Sequence, residues 1–541
     1  MSEDIDFSDV VPVDSTVTFR STWQSSLPSR SNVGIMTAPE KKGFASVQTT
    51  ERDDMSVQTG MDQASKPKAK TTGLQTFLER VTGAVLTEMK KVEEEHEVLE
   101  PLNRLVDEQQ EPAICSFELN AFPDPATSSY SNAAPTASTS SNQLVVTSLS
   151  WSATGQTIAA SYGRYDIPGW CEDRGALATW NLARESLNQN KPDMNIDVDN
   201  CLMCCTFHPE HPALIAGGTF NGDVYIWDLS VEGDSQRGKT DALSDVRHRE
   251  PIKSMVWQYS MNEFNKYGNK SQAYRLITLG ADGLVMVWTW HKLQQALYGF
   301  KLLWPQPGSS QKVLHGGSCL SFQAGGQQQV LLEGSSTFMV GTEGGKIFKC
   351  YMELNDGALK DFAKAASSGE RQELRSPIKD GDYKPHAGAV FGVHCSPFQK
   401  DLFLTAGYDG SVHLYHSLKQ QHLMDVAPSE GPLHAVQWSP VRPLVFAAAA
   451  GDGQVYFYDL LRVKGLVAPV LAVDASPEGL PVYACAFNTK KPDMFATGGA
   501  DGIQVWKLPE SLSGVRKGEE AVLRRLAAAD DFEEALRKLK H

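Results

Sequence analysis

"VQWSPVRPLVFAAAAGDGQVYFYDL", residues Val436 to Leu460, is the stretch whose reading decides the fold. An apolar-alternating run ends at Trp438 and a Ser-Pro turn follows. The second run, Val445 to Ala450, is small or apolar at every position, as a strand covered on both faces requires. Asp452-Gly453 then accepts the positive φ angles of a tight hairpin, and a third run closes on Tyr458-Asp459. The same order recurs on either side. The opening strands read TSLSWSATG, MCCTFHPEH, KSMVWQYS, SCLSFQAGG, FGVHCSPFQ, HAVQWSPVR and YACAFNTKK. The closing strands read GALATW, GDVYIWDL, GLVMVWTW, GKIFKC, GSVHLY, GQVYFYDL and GIQVW. Turn dipeptides precede the closing strands at Asn221-Gly222, Asp282-Gly283, Gly344-Gly345, Asp409-Gly410 and Asp501-Gly502 as well.

Seven copies, roughly 43 to 67 residues apart, predict an all-β, seven-bladed WD40-type β-propeller over residues 144–508. One four-stranded blade cannot bury both faces, whereas blades stacked round an axis bury each other and leave no long edge exposed. Trp227-Asp228 and Tyr458-Asp459 keep a closing Trp-Asp pair or its near variant, and the fourth blade ends at Cys350. The extra length falls in "YGRYDIPGWCEDRG" of blade 1, in loops at 231–250 and 259–273, and in Met352 to Pro385. These read as surface insertions, either contact sites or flexible loops. The tail, 509–541, reads as helical, with Val522, Leu526, Ala529, Leu536 and Leu539 on one face that packs on the propeller rim or on a neighbour.

The N-terminal part has a different composition. Residues 1–70 hold few large apolar side chains and cannot offset chain entropy, so they read as disordered. Over 71–106, Leu74, Phe77, Leu78, Val81, Val85, Met89 and Val92 recur at three- and four-residue steps, the stripe of an amphipathic helix. Thr71 or Thr72 can cap its start, and Pro101 marks its end. An isolated helix of this kind is marginal, so it must dock on the propeller or in a partner's groove. Residues 107–143, rich in Ser, Thr, Ala and Pro, read as a linker. Inside the polar N-terminal stretch one tetrapeptide occurs twice, as Ser46-Val47-Gln48-Thr49 and Ser56-Val57-Gln58-Thr59.

The 541 residues are 41% apolar and 21% charged, an ordinary globular composition. A net charge of −15 argues against a dedicated nucleic-acid binder. No apolar run is long enough to span a bilayer, and the acidic start "MSEDIDFSDVV" lacks the features of a secretory signal, which points to the cytosol. Nine scattered cysteines fit reduced thiols. Cys201, Cys204 and Cys205 lack a second ligand pair and read as small residues on a buried strand. "GTEGGKIF" imitates a phosphate loop, but its Lys is followed by Ile and its last glycine lies in a hairpin turn. Neither a paired-histidine protease motif nor a nucleophile elbow is present. His208, His211, His386 and His394 sit near strand starts, where they serve hydrogen bonds within blades. No catalytic residue, metal or cofactor is therefore expected, and a propeller hydrolase would need carboxylates converging on the axis.

"VHCSPFQKDLFLTAGYDGSVHLYH", the Ser439-Pro440-Val441-Arg442-Pro443-Leu444-Val445-Phe446-Ala447 turn and "AFNTKKPDMFATGGADGIQVWKL" resemble the last blades of dynein intermediate chains. The order of elements is most similar to the WD-repeat intermediate chains of dynein-2, the motor of retrograde intraflagellar transport; the long charged coiled coil of dynein-1 chains is lacking. Axonemal and dynein-1 chains share the propeller motifs, and an unrelated interaction hub such as a ubiquitin-ligase substrate receptor would share the propeller alone. The resemblance implies a non-catalytic subunit of the cytoplasm, cytoskeleton, cilium and basal body. It implies a propeller that grips the heavy-chain tail, a second intermediate chain, LC8-type, roadblock-type and Tctex-type light chains, and attachment to intraflagellar transport trains, with no nucleic acid and no membrane insertion. The two Ser-Val-Gln-Thr copies match the LC8-type motif centred on Gln-Thr, Leu74-Gln75-Thr76 is a weaker third match, and the 74–92 helix has the place of the roadblock-type site. A peptide adding a strand to a sheet edge obtains main-chain hydrogen bonds, with alternate side chains giving selectivity. Two weak sites facing two on a partner chain gain roughly 10²–10⁴ in avidity.

Overall fold

The computed structural model describes residues 112–122, 144–529 and Phe532, together with 81–83 and 85–87, except 168, 242–243, 245, 307–310, 324–335, 353, 355–356, 358, 363, 365–373 and 462–467. Among the described residues there are seven four-stranded antiparallel sheets, the blades of a propeller. Blade 1 spans 145–198, blade 2 202–239, blade 3 252–301, blade 4 317–380, blade 5 390–426 and blade 6 433–474. Blade 7 takes three strands from 482–507 and its fourth from the other end of the chain. The first strands of successive blades contact one another in an unbroken ring that returns from blade 7 to blade 1.

The fourth strand of blade 7 is Ile114–Leu119, paired antiparallel with Gly502–Lys507 from Ile114↔Lys507 to Leu119↔Ile503. This corrects the linker reading of 107–143 at those residues. Its sequence, ICSFEL, alternates, and Cys115, Phe117 and Leu119 are the more buried side chains, Leu119 almost completely. The physical reason for the pairing is the sheet edge: three strands would leave Gly502–Lys507 with an unpaired row of backbone donors and acceptors. Closure by the N-terminal strand satisfies that row and makes the ring continuous.

Five of the closing aromatics predicted from the repeats, Trp180, Trp227, Trp288, Tyr415 and Tyr458, are at most 1% exposed, and Trp506 of blade 7 is partly buried. Cys350 takes the same place in blade 4 and is fully buried. Polar networks then lock individual blades. In blade 3, His248 Nδ1 lies 3.1 Å from Asp282, its Nε2 2.8 Å from Thr278 Oγ1, and Trp288 Nε1 donates to that hydroxyl at 2.9 Å. Blade 5 repeats this with His386, Asp409 and Thr405 at 3.0 and 2.7 Å, but Tyr415 replaces the indole and donates to the Lys384 carbonyl. His386 thus behaves as expected within its blade. His394 instead accepts from the Trp438 amide of blade 6 at 3.1 Å, and His208 accepts from the amides of Glu210 and His211. Cys201, Cys204 and Cys205 are buried free thiols, with burial pushing Cys205 up to about 11.

Among the helices of the described residues are α1 (Met261–Tyr267), α2 (Glu510–Ser513) and α3 (Glu519–Ala528). The tail packs on the propeller itself. Leu523, Leu526, Ala527 and Phe532 join the core of blades 5 and 6 beside Leu402, Trp438 and Phe446, and Leu512 joins that of blades 6 and 7. Val522 is partly buried there; Leu536 and Leu539 lie outside the described residues. Arg442, fully buried in the turn between the first two strands of blade 6, holds the tail down. Its guanidinium donates to Asp459 and Glu519 at 2.8 Å each and also to the Ser511 carbonyl. Burial opposes the Arg442 charge, and the bonds to Glu519 and Asp459 outweigh it, so its pKa rises above the ordinary value. Among the described residues no helix is long and apolar enough to cross a membrane.

Candidate docking face

The rim that carries the Asp-Gly turns is the upper rim, and each first strand begins there. Val390 pairs with Gly407 and Val482 with Gly499, beside the turns at Asp409-Gly410 and Asp501-Gly502. Gly410 has φ +73°, and a Cβ there would run into the Ser429 carbonyl, so the loop joining blade 5 to blade 6 closes directly over the turn.

All seven first strands share one irregularity. Pairing with the second strand skips the second or third residue, which gives a β-bulge at Thr147, Met203, Lys253, Ser318, Phe391, His434 and Tyr483. A bulge leaves one residue out of the ladder and re-aims its side chain. The result is seven equivalent positions round the mouth of the central channel. They fall into two halves.

On blades 1 to 4 the bulged side chains are used internally. Thr147 Oγ1 donates to the Leu202 carbonyl at 2.7 Å, and Met203 packs with Cys171 and Cys201. Lys253 Nζ lies 3.8 Å from Glu343, and Ser318 donates to the Val390 carbonyl. On blades 5 to 7 they are Phe391, His434 and Tyr483, and they touch in sequence round the mouth. Ring centroids are 5.4 Å apart for Phe391–His434 and 4.9 Å for His434–Tyr483. Tyr408 extends the row at one end, 6.3 Å from Phe391, and Tyr165 at the other, 4.7 Å from Tyr483. Tyr408 is 62% exposed, Tyr165 45% and Phe391 36%. Burial pushes His434 down to about 4, so at neutral pH it is an uncharged aromatic ring like its neighbours.

Tyr165 comes from the blade 1 insertion, which is folded onto the same rim. Arg164 binds Asp166 and Asp173 at 2.8 and 3.0 Å, and Tyr165 Oη donates to the Thr147 carbonyl. The backbone of Cys171 exchanges two hydrogen bonds with the Asn221 side chain in the blade 2 turn, at 3.0 and 2.8 Å. Clamped at both points, the insertion is part of the platform.

The arrangement has the chemistry of recognition. Among the described residues no group of His, Cys, Asp or Glu could hold a metal ion. The phosphate-loop imitation at Gly341 to Phe348 is a hairpin, with Gly345 at φ +81° between Thr337–Thr342 and Ile347–Tyr351. Ser46 to Thr49, Ser56 to Thr59, and Leu74, Phe77, Leu78, Met89 and Val92 lie outside the described residues. Val81 and Val85 fall in helical stretches, with Val81 half-buried and Val85 48% exposed. The mouth was missed in the sequence. The signal was there, in the second residue of VFGVHC, LHAVQW and VYACAF once those strands are aligned.

The family model "WD domain, G-beta repeat" matches residues 197–228, the last two residues of blade 1 and the first three strands of blade 2. The human protein "Cytoplasmic dynein 2 intermediate chain 2" is 31% identical over 460 residues, which cover 83% of this chain and 78% of that protein. Its mouse counterpart is 31% identical over 70% of this chain and 68% of that protein. Similarity extends at a lower level to the bovine "Dynein axonemal intermediate chain 1", 25% identical over 51% of this chain and 34% of that protein. Together with the ring of seven blades, these likenesses establish that the chain belongs to the dynein intermediate-chain family.

Proposed function

We propose that this chain is a non-catalytic subunit of a dynein-2 motor, joining the heavy-chain tail through its propeller and dimeric light chains through its N-terminal region. The observation that carries the reading is the likeness to the human dynein 2 chain over most of both lengths. In this reading the motor drives retrograde intraflagellar transport and supports cilium assembly, and the chain works in the cytoplasm, at the basal body and along the cilium. LC8-type light chains take Val47-Gln48-Thr49 and Val57-Gln58-Thr59, a roadblock-type dimer takes the 74–92 helix, and a Tctex-type dimer and a second intermediate chain complete the assembly. The division of labour follows the chain: 1–70 for light chains, 71–106 for the docking helix, the propeller with its closing strand for the heavy chain, and 509–541 for bracing.

Co-expression of the full chain with a dynein-2 heavy-chain tail tests the first part: a stable complex on gel filtration is expected, and separate elution overturns it. Replacing Gln48, Thr49, Gln58 and Thr59 with Ala tests the second. Loss of LC8-type light chain with the heavy-chain tail retained is expected, and undiminished light-chain recovery overturns that assignment.

A further inference from the structure

We propose that the aromatic arc Tyr408–Phe391–His434–Tyr483–Tyr165 is a docking site for a partner segment that carries Lys or Arg beside large aliphatic side chains. The inference rests on reading the propeller as a docking platform, and it names the surface and the chemistry. Three observations converge on it. Rings from four blades form a contiguous row at the mouth, with Tyr408, Tyr165 and Phe391 exposed, whereas Thr147 and Ser318 at equivalent positions of the other half hydrogen-bond within the fold. The opposite rim of blades 5 and 6 is covered by the chain's own tail, so of the two rims the upper one is open on these blades.

Charge supplies the third observation. Exposed carboxylates on the upper rim include Asp166, Glu172, Glu430, Glu478 and Asp501 in loops or turns of blades 1, 6 and 7, and Asp409 next to Tyr408 on blade 5. Arg174 and Lys384 are the exposed cations near it, and Arg164 is held by Asp166 and Asp173. Electron-rich ring faces surrounded by carboxylates attract cations, and the rings themselves bury aliphatic stems. An acidic segment would meet repulsion at the rim, which is how such a surface rejects the wrong partner. The neutral state of His434 keeps a positive charge out of the middle of the arc.

The test uses the full chain and two fluorescein-labelled amphipathic helical peptides of equal length, one built of Lys and Leu and one of Glu and Leu. The Lys/Leu peptide is expected to bind and the Glu/Leu peptide to fail. Combined Tyr165→Ala, Phe391→Ala and Tyr408→Ala should weaken the Lys/Leu peptide at least about tenfold, as loss of aromatic anchors does. Glu430→Lys with Glu478→Lys should weaken it as well, and Leu418→Ala with Val515→Ala, both exposed and away from the arc, should not. Equal binding of the two peptides, or undiminished binding by the triple variant, overturns the proposal. If the triple variant melts early, Tyr408→Ala alone gives the same reading from the most exposed position. Competition by heavy-chain tail separates the two readings: peptide binding that the tail does not displace keeps the arc and removes the tail as its occupant.

Discussion

Blades 5 and 6 present two rims made by opposite strategies. On the lower rim Arg442, Asp459 and Glu519 are sealed under the tail, and each of the three has its partner inside the chain. On the upper rim Tyr408 and Phe391 lie exposed, with half-buried His434 packed against Phe391. The lower rim is chemistry already spent on the fold, and its residues should matter to stability. The upper rim is surface held ready, and its residues should matter to association and hardly to folding.

That contrast can be broken most sharply at Arg442. Arg442→Ala leaves Asp459 and Glu519 buried without their cation and should cost about 3–5 kcal/mol in urea unfolding. A loss below about 1 kcal/mol would show that the lower rim is wet and loosely held. Acid probes both rims at once. Burial pushes His208, His394 and His434 down to about 4 and His413 to about 3, against 6.5 when unfolded. A depressed histidine contributes stability that is complete above pH 6.5 and is lost as pH falls toward 4, because the unfolded chain takes up the proton first. Urea midpoints should therefore drop between pH 7 and pH 5 by an equivalent of ~2 kcal/mol or more. A flat profile would mean that these rings are solvated. The smallest effect is expected at Tyr408→Ala, within about 0.5 kcal/mol of the parent, as befits an exposed side chain. A large loss there would move the upper rim into the structural class.

The repeats made the blade number legible because alternation, tight turns and closing aromatics are local signals. Two features escaped for physical reasons. Ile114–Leu119 alternates well enough to be a strand, but it lies among Ser- and Pro-rich residues and its partner is at the far end of the chain. His248 looks like any loop histidine until Asp282 and Thr278 are folded next to it. The arc was hidden for a third reason. Phe391, His434 and Tyr483 read as ordinary strand residues, and only the bulge in register takes them out of the ladder and up to the mouth. The blade 1 insertion was recognised as extra length, yet nothing local said that Tyr165 would meet Tyr483.

The closing strand also sets a clock on synthesis. Ile114 leaves the ribosome roughly 390 residues before Lys507, its partner in register. At translation rates of about 5–20 residues per second, that interval lasts roughly 20–80 s. For that time the early blades exist as an open stack with the free edge strand trailing from one end. The ring becomes a ring only when the last blade emerges, and chaperones that shield unpaired strands have their window until then.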